Sequence, residues 1–273
     1  MPDRGAQRFG AGARASTLRV CALYPDLMNI YADRGNLIVL QRRCAWRGLG
    51  FEVARCGLSD ALPEDHHIYY LGGGQDRDQR LCAADLRETK SEGLHAAAAH
   101  GAIVLGVCGG YQLLGHSYTL GGEEIEGIGL LDVRTVRGSG PRLIGNVAIE
   151  LAPAPLQLPA ATGRAGDGGL GRRILAGFEN HGGRTTLGAG ASALGRVLKG
   201  HGNDGSSGLE GAHAGSVIGT YMHGPLLPKN VWFADWLIAR ALGLALDELA
   251  VLDDEIERAA HRSARRAAGI SPG

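Results

Sequence analysis

The feature that most constrains this chain is the apolar run Ala102 to Val107 (AIVLGV), which ends abruptly at Cys108 and passes through Gly109-Gly110 into Tyr111-Gln112-Leu113-Leu114. A short run of apolar and β-branched residues bounded by glycines reads as a buried strand, and the residues after it read as a helix. Cys108 thus stands on a sharp strand-to-helix turn. Gly106-Val107-Cys108-Gly109-Gly110 fits the pattern in which a nucleophile is flanked by small residues, because its own backbone is strained and neighbouring chains approach closely. The helix start behind the sulfur is expected to favour the thiolate, and the Gly109 N–H to help hold an oxyanion. The reading that competes is a buried cysteine packed as a small hydrophobe.

The same rhythm precedes this unit. Thr17 to Leu23 is a short apolar run, Asn36 onward has apolar residues at helical spacing, and Phe51 to Ala54 is a second strand. His67 to Leu71 is a third, followed by Gly72-Gly73-Gly74 and a helix over roughly Arg80 to Ala99. Strands alternating with helices predict an α/β fold, a mainly parallel central sheet with helices on both faces and reactive groups at the strands' carboxyl ends. After Gly115 the pattern turns to strands and Gly-rich turns, with strands at Ile128 to Val136, Asn146 to Leu151 and Val217 to Tyr221, until a helix at Val231 to Leu242. The expected organisation is a disordered N-terminal extension at 1–16, a main domain at 17–245 and a charged tail at 246–273 expected to be a fraying helix. Flexible loops are expected at 152–173 and at Leu198 to Gly215.

Charge excludes some partners. Equal numbers of basic and acidic residues, 28 each, favour neither nucleic acid nor an anionic membrane. No apolar run approaches the roughly 18 residues that span a bilayer, and the first residues lack a signal core. The five cysteines show no metal spacing, and their odd number points to a reducing cytoplasm. No metal or cofactor is expected.

A thiolate needs a proton donor for its leaving group. Among ten histidines, His223 in Gly219-Thr220-Tyr221-Met222-His223-Gly224-Pro225 lies just past a strand, at the same sheet edge as Cys108. The others sit on N-terminal elements, in the Gly-rich loop or in the tail. A turn histidine bonded to backbone is the bland alternative for His223. Gly72-Gly73-Gly74-Gln75-Asp76 could aim backbone N–H groups into the crevice as the second half of an oxyanion hole. No Gly-Lys-Ser/Thr or G-x-G-x-x-G accompanies it, so no ATP site is evident.

Together these residues resemble the class I glutamine amidotransferases, more closely their cobyric-acid-synthase-like branch, and within it the glutaminase subunits of lipid II isoglutaminyl synthases. The marks are YPDLMNIYADRGN (residues 24–36), GGGQD (72–76), VLGVCGGYQLLG around Cys108, RLIGN (142–146), GFENHGG (177–183) and GTYMHGP around His223, in a resemblance covering most of Leu18 to Leu242. It implies a flavodoxin-like amidotransferase fold, Cys108 as nucleophile and His223 as base. It also implies Gly74 and Gly109 as oxyanion hole, and Arg142, Gly73 and Gln112 as glutamine-binding residues. The implied partner is a MurT-like Mur ligase subunit that amidates the D-glutamate α-carboxylate of lipid II with the ammonia released.

The chain departs from the commoner triad, since Pro225 stands where many relatives of class I carry the glutamate two residues after the histidine. A Cys108–His223 dyad is therefore the default, with a carboxylate from elsewhere left open. Glu179 and His181 are read equally as a salt-linked pair or as substrate contacts, and YPDLMNIYADRGN as structural or partner-facing. The alternatives are cobalamin biosynthesis, a non-catalytic scaffold of the same fold, and a cysteine hydrolase of another substrate. Cobalamin amidotransferases usually carry an ATP-binding domain in the same chain, and the segment before Leu18 is expected to be too short for one.

Overall fold

The computed structural model describes residues 16–30, 33–151 and 173–270. The N-terminal extension (Ser16 apart) and the expected 152–173 loop (Arg173 apart) lie outside the described residues.

Four strands, β1 (Thr17–Leu23), β2 (Gly50–Cys56), β3 (Ile68–Leu71) and β4 (Ile103–Val107), alternate with helices α1 (Arg34–Trp46), α2 (Asp76–Asp85) and α3 (Ser91–Ala99). The last two are joined by a wider π turn at Leu86–Lys90, so the expected single helix is one continuous run with a distortion. Helix α4 (Gly109–Leu114) follows β4 directly. Every residue of β3 and β4 is buried, as expected of parallel strands covered on both faces.

The second half supplies β5 (Ser117–Leu120), β6 (Glu123–Glu126), β7 (Val133–Arg137), β8 (Leu143–Leu151), β9 (Ile174–His181) and β10 (Gly183–Leu187). Then come β11 (Gly195–Lys199), β12 (Leu209–Glu210), β13 (Ala212–Ala214) and β14 (Val217–Thr220). Helices α5 (Leu226–Lys229), α6 (Val231–Ala241) and α7 (Glu255–Ala267) complete the chain. The central sheet runs β13-β14-β4-β3-β1-β2. All pairings are parallel except β13 with β14. Without the β13 edge this is the flavodoxin-like strand order, with β14 as the fifth strand. Two four-stranded sheets, β10-β7-β5-β6 and β12-β11-β8-β9, flank it.

Three expectations need correcting. Of the strand expected at Ile128 to Val136, only Val133 onward is extended. Its first part caps α4 instead, Ile128 and Leu131 donating backbone N–H groups to the carbonyls of Leu113 and Leu114. The stretch Leu198 to Gly215 is ordered, not a loose loop. Gly202 turns at a φ of +67°, where a Cβ would lie 2.3 Å from the Leu209 carbonyl oxygen. Buried Asn203 ties the turn together, donating to the Gly211 carbonyl and accepting the Gly211 N–H, both at 2.9 Å.

The tail is the third correction. Helix α7 packs on the body, with His261 and Arg265 buried, His261 Nδ1 2.8 Å from the Lys229 carbonyl oxygen and Asn146 donating to the Ala267 carbonyl. Just before it, Asp254 accepts two 2.8 Å bonds from the fully buried Arg43 guanidinium on α1, which also pairs with Asp235 on α6. Removing one partner of such a buried pair leaves a charge uncompensated. Alternation along the sequence could not reveal a tail held by an ion-pair cluster.

Candidate active site

Four strand ends meet at one edge of the central sheet. The segment after β1 carries Asp33, the segment after β3 carries Gly72 to Gly74, β4 ends at Cys108, and β14 leads to His223. Strand order reverses between β1 and β3, the place where open α/β sheets form their ligand crevice.

Cys108 has φ +52° and ψ −104°, a strained backbone for a residue with a side chain. The bonds on either side fix it. Its N–H donates to the Thr220 carbonyl at 2.8 Å, and its carbonyl accepts the Gln112 N–H at 3.1 Å. The neighbouring glycine is required by space, since a Cβ at Gly110 would stand 2.5 Å from the Leu71 carbonyl oxygen. The sulfur is largely buried but opens on a cleft of about 420 Å³, shared with Gly74, Gln79, Gln112, Arg137, Arg142 and His181.

His223 lies behind Cys108 with no exposed surface. An antiparallel bridge to Phe178 on β9 clamps its backbone. Two residues earlier, the buried Glu210 carboxylate accepts the Tyr221 N–H at 2.7 Å and the Thr220 hydroxyl at 3.0 Å. Burial pushes Glu210 up to about 8, although those two donors favour its charged form. The segment expected to be a mobile loop therefore holds the end of the strand that presents His223.

A carboxylate beside His223 comes from the segment expected to be structural or partner-facing. Asp33 Oδ2 lies 3.5 Å from His223 Nδ1 and accepts the Gly73 N–H at 2.9 Å, with both side chains fully buried. Burial alone would lower the His223 pKa. The charge of Cys108, the hydrogen bonds to Asp33 and Cys108, and the charge of Asp33 outweigh it and push His223 up to about 10. With Nδ1 turned to Asp33, Nε2 is left for the sulfur. Such an arrangement favours a thiolate–imidazolium pair, ready to attack a carbonyl carbon and to protonate a leaving amine.

The remaining predicted residues fall around this pair. A Cβ on Gly109 would lie 3.1 Å from the Gly74 amide nitrogen, so the two glycines face each other beside the sulfur. Gly73 packs against His223 but spends its N–H on Asp33, and its carbonyl accepts the Ile30 N–H. That leaves its amide engaged within the protein rather than turned to a substrate. Gln112 accepts a 2.7 Å bond from Gln79 and donates to the Tyr221 hydroxyl at 3.2 Å. Arg142 is oriented by Asn180, donating from Nε to its side-chain oxygen at 2.7 Å and from Nη2 to its carbonyl at 2.8 Å.

Glu179 and His181 do not pair. Glu179 accepts the N–H groups of His201 and Gly202, while His181 faces the cleft. Sequence reasoning also missed Arg137 and Gln79 in the cleft wall, since neither belongs to a motif with its own chemistry. No group of three or more His, Cys, Asp or Glu side chains among the described residues could hold a metal ion, and no helix among them is long and apolar enough to cross a membrane.

The model of the CobB/CobQ-like glutamine amidotransferase domain matches residues 19–231. The chain belongs to this family. It is 37% identical over 218 residues to the lipid II isoglutaminyl synthase (glutamine-hydrolyzing) subunit GatD of Staphylococcus aureus, covering 79% of this chain and 81% of that one. It is 35% identical to the protein of the same name from Streptococcus pneumoniae, covering 82% and 80%. The cobyric acid synthase of Xanthobacter autotrophicus is 34% identical over 183 residues, 63% of this chain but 32% of that protein. Among solved structures, PurLQS from Thermotoga maritima aligns with a TM-score of 0.52 at 23% identity, covering 76% of this chain and 87% of that chain, a likeness of fold.

Proposed function

We propose that this chain is the glutaminase subunit of a lipid II isoglutaminyl synthase, working in the cytoplasm. The ammonia it releases passes to a separate MurT-like, ATP-dependent ligase that amidates the D-glutamate α-carboxylate of lipid II to D-isoglutamine. The observation that carries this reading over cobalamin biosynthesis is coverage. The chain spans about four-fifths of both GatD proteins but 32% of the cobyric acid synthase.

In the proposed reaction the Cys108 thiolate attacks the γ-carboxamide carbon of L-glutamine. The carbonyl oxygen, as it gains charge, takes hydrogen bonds from the N–H groups of Gly74 and Gly109. His223 passes its proton to the amide nitrogen, ammonia leaves, and a γ-glutamyl thioester remains on Cys108. Water then attacks the thioester carbon, giving a proton back to His223, and glutamate departs as the thiolate re-forms. Asp33 orients the imidazole and stabilises its charged form. Arg142 offers its free N–H groups to the α-carboxylate of glutamine, with Gln112 in the wall beside it.

Arg142→Ala is expected to raise the KM for glutamine, while the complex supplied with ammonium salts amidates almost normally. Loss of the ammonium-dependent reaction in that variant would place Arg142 outside the glutamine site. ATP hydrolysis by this chain alone would count against the division of labour. Co-purification of the native protein should return a Mur-ligase-like chain.

Asp33→Asn keeps the shape and an acceptor for Gly73 but removes a charge that raises His223. A roughly 10- to 1,000-fold fall in kcat/KM is expected. The reaction needs the proton on His223, so activity is lost as pH rises through its pKa. Lowering that pKa should therefore move the alkaline limb of the kcat/KM profile to lower pH. An unshifted limb would leave Asp33 with a packing role.

A further inference from the structure

His181 is buried beside the cleft with its ring stacked on Tyr221, centroids 3.6 Å apart and planes 4° apart. Its Nδ1 lies 3.0 Å from the Gly183 carbonyl oxygen. A carbonyl can only accept, so Nδ1 carries the hydrogen and Nε2 presents a lone pair. That Nε2 is buried without a hydrogen-bond partner, while the side chain helps to line the cleft that contains Cys108 and Arg142. Buried polar atoms in native folds are ordinarily paired, so an unpaired acceptor in a cleft wall points to a donor brought by the ligand.

The position says which donor. Arg142 precedes β8, whose first residue, Leu143, pairs in register with His181 on β9. Asn180, the neighbour of His181, is the residue that holds the Arg142 guanidinium. An amino acid whose α-carboxylate lies on Arg142 carries its α-ammonium one carbon away, in the cleft that His181 also lines. The other groups named in the wall are less suited to receive it. Arg137 and Arg142 are cations, the Gln79 and Gln112 amides are bonded to each other, and Asp76 is exposed on α2.

Resting on the glutaminase reading, we infer that His181 Nε2 accepts a hydrogen bond from the α-ammonium of glutamine, making His181 the residue that requires an α-amino acid rather than a simple carboxamide. Burial drives its pKa down to about 3 against the weaker opposing pull of the Gly183 carbonyl, so the ring stays neutral and keeps the acceptor at working pH. A neutral ring also avoids placing another cation beside the His223 imidazolium.

The test compares L-glutamine with glutaramate, which has the same carboxylate and carboxamide but no amino group. In a Cys108→Ala background, where neither ligand is consumed, calorimetric titration should show L-glutamine bound more tightly. Adding His181→Phe, which can keep the stack on Tyr221, should weaken L-glutamine about 10- to 100-fold and leave glutaramate within about twofold. His181→Gln, which restores an acceptor, should recover part of the preference. In the catalytic chain with Cys108 intact, His181→Phe should act on KM far more than on kcat. Equal weakening of both ligands, or a selective loss in Asp76→Asn instead, overturns the assignment to His181. Failure of the Cys108→Ala protein to bind either ligand would strike at the glutaminase reading itself.

Discussion

Replacing Cys108 with serine is expected to abolish ammonia release from glutamine, by roughly 10,000-fold or more, with the fold intact. The two side chains differ by one atom, so the strained turn and its bonds to Thr220 and Gln112 should survive. What disappears is the anion. A serine hydroxyl does not ionise beside His223, and the histidine loses the charge that does most to raise its pKa. NMR titration of the variant should therefore show the His223 imidazole moving down from about 10. An electrophilic glutamine analogue should label Cys108 before the other four cysteines, all of them fully buried. Burial pushes Cys44 up to about 11 and Cys82 up to about 12. A hydrogen bond with Cys56 raises Cys21, and the same bond lowers Cys56, which has no exposed surface for a reagent to reach. Substantial ammonia release by folded Cys108→Ser protein would end the nucleophile assignment.

The parallel half of the fold was legible because its signals are local. AIVLGV reads as β4 from composition alone, and the glycines around Cys108 announce a turn too crowded for side chains. The antiparallel half was read less well. β9 (Ile174–His181) was seen only as a motif, and the Gly-rich stretch after Leu198 as a loop, because its order comes from Asn203 bonding to Gly211 and Glu210 bonding to Thr220 and Tyr221. Such side chain to backbone bonds leave no periodic trace in a sequence.

The site divides in the same way. Cys108 and His223 could be placed at strand ends by pattern. Asp33 could not, because it reaches His223 from 190 positions earlier in the chain, from the segment after β1, and YPDLMNIYADRGN carries other polar residues of equal apparent merit. The departure at Pro225 signalled only that a carboxylate, if present, had to come from elsewhere. A flavodoxin-like strand order supplies the place: the segment after β1 lies at the switch point, where Asp33 meets the glycines that follow β3.

His223→Ala should lower turnover by about 100- to 10,000-fold, the usual cost of losing a positioned acid and base. The loss should fall on kcat more than on KM, since the imidazole sits behind the sulfur and not in the wall that receives the glutamine head group. It should also alter stability in a pH-dependent way. The folded-state pKa lies above the ordinary value of about 6.5. Retaining the proton therefore stabilises the fold fully below that ordinary value, and the contribution fades as pH rises toward about 10. Parent and variant should consequently differ more in Tm near neutral pH than at pH 10, apart from the constant cost of the cavity left behind. His181 provides the internal comparison. Its ring is neutral and bonded to backbone, so His181→Ala should lose glutamine affinity while keeping a measurable kcat. An inactive His181→Ala beside a near-normal His223→Ala would reverse the two roles.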